Sequence, residues 1–541
     1  MNHNRIVQKL LEQRGITAPK DIEEYLSDRP KRTYDPFLMK NVQEGADLIL
    51  SEIASGRRIC IYGDYDVDGI TSVCILHTVL SKLTEDLTWY IPSRFNEGYG
   101  LHNEAIDLLR EDGVDLIITV DCGITSVKEI AYAKSLGMNV VVTDHHSVGD
   151  ELPDCITIDP KQEDETYPFR DLAGCGVAYK LAQAIQRQAG LDRHVIVEIL
   201  DLVSLGTVAD IVPLTDENRT IVKYGLIKIN EKTRPGLAAL QEAISIPVVT
   251  SGRISFGIGP HLNAAGRIRH AKEGVKLLLA PESDPQTIRT QVETLIACNY
   301  ERKKLQAKAY DKCCEQITGE EAILCLNVDD VQEGITGNTA SRIKEKYNRP
   351  VILATPVGDG LLKGSGRSIR GVDLFQLLDR HRELFVRVGG HKKACGFTIS
   401  EENFRTIQPL LERETQALYD ADPSILGITG KYDLQIEPED VTLELARALE
   451  VMEPFGEANQ QPDFLIENVR INVLQRMGAE EQHVKFAALR DGARIDCVLF
   501  QKAKDYEDKL YGPDPVSLIG CIEINEWNNN INAQFRVEEI L

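Results

Sequence analysis

From residue 57 to residue 159, short apolar runs alternate with amphipathic segments, and run after run stops at an acid. RRICIYG reads as a strand and is followed by Asp64, Asp66 and Asp68 in DYDVD. GITSVCILHTVLSKL reads as a helix, LTWYIPS as a strand and NEAIDLLRED as a helix. The strand VDLIITV ends at Asp121. ITSVKEIAYAKSLG is a helix stopped by Gly137, NVVVT ends at Asp144-His145-His146, and CITI ends at Asp159. Strands alternating with helices imply a parallel, doubly wound sheet. In such a sheet ligands gather beyond the carboxyl ends of the strands, so these acids and imidazoles fall on one edge. Asp210, in SLGTVADIVPL after a further apolar stretch, is a fifth contributor.

Carboxylates crowded in this way repel one another, and burial would drive several of them to hold protons. A divalent cation removes the repulsion. Oxygen ligands with some imidazole suit Mn²⁺ or Mg²⁺ better than a thiolate-seeking metal. Taken singly, an aspartate at a strand end is an ordinary helix cap, and DxDxDG is also the start of a calcium loop. Here, however, the loop runs into the apolar helix ITSVCILHTVL, with no glutamate at the twelfth loop position. Metal pairs polarise phosphoryl oxygens and acidify water, so the implied chemistry is hydrolysis of a phosphate ester or anhydride. No GxxxxGK[ST] loop occurs and no GxGxxG follows a strand, which argues against nucleotide-driven motors and dinucleotide oxidoreductases.

The chain has 541 residues, enough for two to four domains. Its net charge is −23, from 61 Lys+Arg and 84 Asp+Glu, which disfavours a general nucleic-acid coat but not a local basic groove. The 12 cysteines contain no CxxC pair and read as buried thiols of a reducing cytosol. No apolar run approaches a membrane span, and MNHNRIVQKLLEQRG lacks the apolar core of a signal peptide, so a cytoplasmic location away from membranes is expected.

Residues 1–50 read as an N-terminal helical segment, 51–245 as the parallel-sheet domain and 246–317 as a helical connector in which ERKKLQAKAYDKCCEQI bridges two lobes. A second alternating unit fills 318–420, YDADPSI (419–425) reads as a linker, and the short strands of 428–541 suggest a small barrel or sandwich. RISFGIGPHLNAAGRIRHAK gathers Arg253, His261, Arg267, Arg269 and Lys272, a local basic lining for a single strand. In the tail His483, Lys485, Trp527 and Arg536 offer stacking and charge to a strand.

GDYDVDG, VDCG, TDHH and GTVAD, in that order, resemble the four motifs of the DHH phosphoesterase superfamily. IPSRFNEGYGLH, GPHLNAAGRI, GSGRSI, GGHKKACGFTI and PFGEANQQPDF are similar to the RecJ branch, the single-strand-specific 5′→3′ DNA exonucleases of repair and recombination. The sequence departs from that pattern in three places: His261 stands where many relatives have Arg, ANQQP replaces GNPxP, and GITGNTASRI replaces a GVIGIVASR-like run. The resemblance implies an α/β fold: a DHH domain, a bridging helix, a smaller DHH-associated domain and an OB-like barrel. It implies a two-metal site of Asp66, Asp68, Asp121, His145 and Asp210, with Asp64 binding the metal directly or through another ligand. His146, Arg367 and His391 would act on the phosphate, with Arg94 and Ser365 at a 5′-terminal phosphate and Asn263 and Arg267 near the strand. It further implies a monomer that works on single-stranded DNA, in company with a single-strand-binding protein and a helicase. Two other functions share these residues: a DHH enzyme of short oligonucleotides or cyclic dinucleotides, and a replication scaffold that has lost activity.

Overall fold

The continuous apolar runs pair as a parallel sheet: β1 (Ile59–Gly63), β2 (Leu87–Tyr90), β3 (Leu116–Val120), β4 (Asn139–Thr143) and β5 (Ile156–Ile158), in the order β2-β1-β3-β4-β5. β1 and β3 are buried along their whole length, as strands covered on both faces must be. The order reverses between β1 and β3. That is the switch point at which such sheets open a crevice, and Asp64 and Asp121 stand at its two lips. The computed structural model describes residues 4–329, 331–427, 430–478, 481–527 and 530–541, apart from the side chains of Val473 and Trp527.

The helix Val67–Leu80 starts where Asp66 caps it, Oδ1 accepting from the Asp68 and Gly69 amides at 2.9 and 3.1 Å. Twelve of its fourteen residues are buried between the sheet and the helices Gly174–Ala189 and Leu200–Ala209. Lys180 and Glu217 form a fully buried ion pair at 2.5 Å, with the Tyr34 carbonyl and the Tyr167 hydroxyl completing its hydrogen bonds. The pair therefore fastens two helices to the N-terminal segment.

The helix Pro285–Cys314 has 30 residues, about 45 Å of rise. Asp284 caps it and Pro285 takes its first position. Leu295 at one end joins the core of the parallel-sheet domain, while Ala309 and Cys313 at the other join the core of the next domain. That domain carries β6 (Leu324–Asn327), β7 (Val351–Gly358), β8 (Leu361–Arg367), β9 (Phe385–His391) and β10 (Ala394–Ser400), ordered β6-β7-β8-β10-β9. Only the β6–β7 pairing is parallel. The residues read as a linker belong to structure instead: Tyr419–Ala421 end the helix Glu401–Ala421, and Pro423–Ile425 add a 3₁₀ turn. Tyr419 is buried there, its hydroxyl bonded to the Ala322 carbonyl.

The C-terminal unit contains β11 (Leu434–Gln435), β12 (Phe464–Met477), β13 (His483–Arg490), β14 (Ala493–Leu499), β15 (Val516–Trp527) and β16 (Asn530–Ile540). β12 pairs with both β13 and β15, so β12-β13-β14-β16-β15 close into a barrel. The N-terminal 50 residues do not pack as a unit. Val7, Leu10 and Leu11 enter the barrel core, whereas Val42, Ala46 and Ile49 enter the core of the parallel-sheet domain.

PFGEANQQPDF holds these units together. Asn459 is buried; its amide donates to the Met452 and Pro454 carbonyls, and its oxygen accepts from Tyr25 and Arg14. The Glu457 carbonyl accepts from the Leu214 amide, and the Phe455 carbonyl from Ser251. All twelve cysteines are unpaired. Among the described residues no helix is long and apolar enough to cross a membrane.

Candidate metal centre and phosphate pocket

The strand ends deliver their acids to one buried point. His145 Nε2 lies 3.2 Å from Asp121 Oδ1, 3.7 Å from Asp210 Oδ2 and 3.8 Å from Asp68 Oδ2. Three groups share this space, each with ligand atoms within 4.8 Å of one another: Asp64, Asp66 and Asp121; Asp68, His145 and Asp210; and Asp121, His145 and His146. Asp210 arrives on the C-terminal end of the helix Leu200–Ala209 rather than on a strand. Asp121 sits at φ +60°, a left-handed backbone rare outside glycine and common at functional sites. Gly174 lets a helix N-terminus close on it, since a Cβ there would stand 2.7 Å from Asp121 Oδ1. The Gly174 and Cys175 amides bond Asp68 at 2.7 and 2.8 Å.

Burial, and then repulsion within the cluster, raise these carboxyls. Asp210 is pushed up to about 9 and Asp68 to about 6, while Asp64 and Asp121 lie well above the usual carboxylate range. Burial drives His145 down to about 3, a neutral imidazole available as a ligand. Asp64 Oδ1, Asp121 Oδ1 and His145 Nε2 are buried without a hydrogen-bond partner. Orphaned oxygens and an imidazole in one cavity fit Mn²⁺ or Mg²⁺. Asp144 and Asp159 lie behind this set. Asp144 takes the His145 amide, the Ile124 amide and His146 Nδ1, the last at 2.7 Å. Burial opposes the charge of His146, but the Asp144 partner outweighs it and raises the imidazole to about 9. Asp159 bonds the Lys161 amide and rises to about 7 through burial.

Arginines collect beside the acids. The Arg94 guanidinium stacks 3.9 Å from the Tyr65 ring centre. Arg267 donates to the Gly334 carbonyl at 2.7 Å, and its charge is opposed by burial and then by Arg94, Arg302 and Arg367. Arg367 reaches Ser341 Oγ at 3.2 Å, and Ser365 Oγ lies 3.4 Å from Thr336 Oγ1. The run GITGNTASRI thus supplies the Gly334 carbonyl, the Ser341 hydroxyl and, at Gly337, the space for Arg367, where a Cβ would come within 2.6 Å of Nη2. Nothing in their own chemistry marks Tyr65, Tyr99, Arg302 and Ser341 as site residues in the sequence; only the glycines on either side of Tyr99 point to its position.

The other residues expected near the strand have these partners within the chain. Asn263 uses its amide oxygen on the Val67 N–H at 3.1 Å and so fixes the acidic loop. His261 is tied to the Gly257 carbonyl and Arg253 to the Val248 carbonyl. Arg269, at the end of the helix Gly259–Ile268, and Lys272 are both exposed. His391 is exposed at the end of β9, accepts from the Lys393 amide and makes no contact with the acid cluster among the described residues. In the barrel His483 accepts from the Gln501 amide, Lys485 is half-buried, and Arg536 is neutralised by Glu523 and Glu538. The Trp527 side chain lies outside the described residues. A cleft of about 1170 Å³ starts at Ile211, next to Asp210, and runs past Phe256 to Ile522 and Ile524 of β15.

A parallel sheet with acids and a His-His pair at its switch point, joined by a long helix to a second α/β domain, defines a phosphoesterase of the DHH type. Residues 58–207 match the DHH family, N-terminal domain, 320–417 the DHHA1 domain and 432–539 the RecJ OB domain. The chain belongs to the RecJ family. It is 36 % identical over 542 residues to the single-stranded-DNA-specific exonuclease RecJ of Bacillus subtilis, covering 99 % of this chain and 67 % of that protein. To the Escherichia coli enzyme of the same name it is 33 % identical, covering 99 % and 95 %. The crystal structure of RecJ from Thermus thermophilus in complex with Mn²⁺ superposes with a TM-score of 0.81 at 29 % identity, covering 98 % of this chain and 75 % of that one.

Proposed function

We propose that this chain is a metal-dependent exonuclease that removes nucleotides from the 5′ end of single-stranded DNA, in repair and recombination. The observation that carries this is the meeting of six candidate ligands at the sheet switch point, directly beside a pocket of four arginines. Asp64, Asp66 and Asp121 would hold one ion and Asp68, His145 and Asp210 the other. Bound there, Mn²⁺ or Mg²⁺ supplies Lewis-acid stabilisation of the phosphate and an acidified water. Arg94, Arg267, Arg367 and Ser365 hold the terminal phosphates, the guanidinium forks matching their oxygens. His146, charged against Asp144, faces the reacting phosphate with its free Nε2. His391 reaches the strand from the opposite lobe, and Arg269, His483, Lys485 and Trp527 lie along its later course. The gap between the lobes admits a single strand and excludes a duplex. We further propose that the protein acts as a cytoplasmic monomer beside a single-strand-binding protein and a helicase.

A 50-mer labelled at either end tests this. With Mn²⁺, the 5′ label is released at once as mononucleotide while 3′-labelled strands shorten progressively. With EDTA neither happens. Release of the 3′ label first would overturn the polarity, and undiminished cleavage in EDTA would overturn the metal reading.

A further inference from the structure

Tyr99 is the centre of a Gly-Tyr-Gly turn in which both glycines, Gly98 and Gly100, have positive φ, +92° and +89°. L-residues rarely adopt that backbone, so the turn is built to aim the residue between them. Its frame is fastened on each side. Glu97 accepts from the Tyr90 hydroxyl at 2.7 Å and the Ser93 amide at 2.6 Å, and the Gly100 carbonyl accepts from the buried Tyr62 hydroxyl at 3.0 Å. The result places Tyr99 Oη 3.1 Å from His146 Nδ1 and 3.4 Å from the Asp121 carbonyl, with its ring edge-on to the imidazole.

His146 Nδ1 already meets Asp144 Oδ1 at 2.7 Å. A carboxylate has no proton to give, so Nδ1 carries the hydrogen and Asp144 is its main acceptor. The phenol oxygen then occupies the second acceptor position on that hydrogen, and the phenol hydrogen points to the Asp121 carbonyl. We propose that Tyr99 is a positioning residue that locks the His146 ring, Nε2 outward, against the strained backbone of Asp121, so that the imidazole and the metal-site loop keep one relative placement. This rests on the role given above to His146.

Tyr99→Phe keeps the ring and removes the hydroxyl. The expected result is a fall in kcat of roughly ten- to a hundred-fold, the range for lost partners behind a functional histidine, with KM for single-stranded DNA, Mg²⁺ affinity by calorimetry and the unfolding midpoint unchanged. The ¹⁵N signal of His146 Nδ1 in histidine-labelled, Mg²⁺-loaded protein should move, while those of the other histidines stay in place. Gly98→Ala, where a Cβ meets nothing within 4 Å, should lower kcat in the same sense by turning the loop alone. A Tyr99→Phe enzyme within twofold of the native kcat, or one with an unmoved His146 signal, overturns the inference. His146→Ala separates the two levels. If it is slow while Tyr99→Phe is native, only the role of Tyr99 falls; if it keeps the native rate, the role of His146 falls as well.

Discussion

Loading the metal centre should expel protons, because burial and mutual repulsion raise its carboxyls. Asp210 titrates at about 9 and Asp68 at about 6 because both are buried among other carboxylates. At pH 7 a group of the first kind is protonated in about 99 % of molecules, and one of the second kind in about 10 %. Divalent ions bind the carboxylate form, so saturation with Mn²⁺ must release about one proton from Asp210 and about a tenth from Asp68. Burial and repulsion within the cluster also raise Asp64 and Asp121 well above the usual range. Calorimetric titration in PIPES and in Tris, whose ionisation enthalpies differ, reads the number as the slope of apparent enthalpy. We expect at least one proton per chain at pH 7, and about one fewer in Asp210→Asn. Mn²⁺ affinity should rise with pH up to about 9. The effect on stability has the opposite sign. A carboxyl with a folded pKa above its unfolded value of 3.8 stabilises the fold below that value and loses this contribution as pH rises through the folded pKa. In EDTA the unfolding midpoint should therefore fall between pH 4 and pH 9, and Mn²⁺ should restore it most at the alkaline end. A calorimetric slope of zero would refute the reasoning.

Three further outcomes follow from single contacts. Asp121→Ala should abolish cleavage, yet its unfolding midpoint in EDTA should equal or exceed the native one because a repelling buried carboxyl is gone; a native cleavage rate with Mn²⁺ present would contradict this. Lys180→Met leaves Glu217 charged and fully buried, and urea unfolding should show a loss of about 3–5 kcal/mol. Leu10→Ala should cost about 2–5 kcal/mol by urea unfolding of the barrel, because Leu10 is 1 % exposed within the barrel core.

The site was legible where chain order and chemistry coincide. DYDVD, VDCG and TDHH each follow a strand, and parallel pairing alone carries them to one edge. Asp210 was legible as an acid after an apolar run, but its approach on a helix end depends on how the helix Leu200–Ala209 packs against Val67–Leu80. Partner choice was hidden for the same reason. The amphipathic stripe Val7-Leu10-Leu11 announces a buried face without saying that the barrel, more than 400 residues away, will cover it. β7 and β8 pair antiparallel because the two-residue turn at Asp359 and Gly360 sends the chain straight back, a feature that apolar runs alone do not reveal. Asn263 carries a contact that its motif alone does not reveal. An amide beside the site can contact substrate or hold the loop that does the chemistry, and only coordinates show its oxygen on the Val67 amide.

The central claim is that these buried acids are arranged for two dications. Diffraction at the manganese absorption edge from Mn²⁺-soaked crystals tests it most directly. The account predicts two anomalous peaks about 3.5–4 Å apart, one bordered by Asp64, Asp66 and Asp121, the other by Asp68, His145 and Asp210. An empty cluster, with manganese bound only at other surfaces, would contradict it.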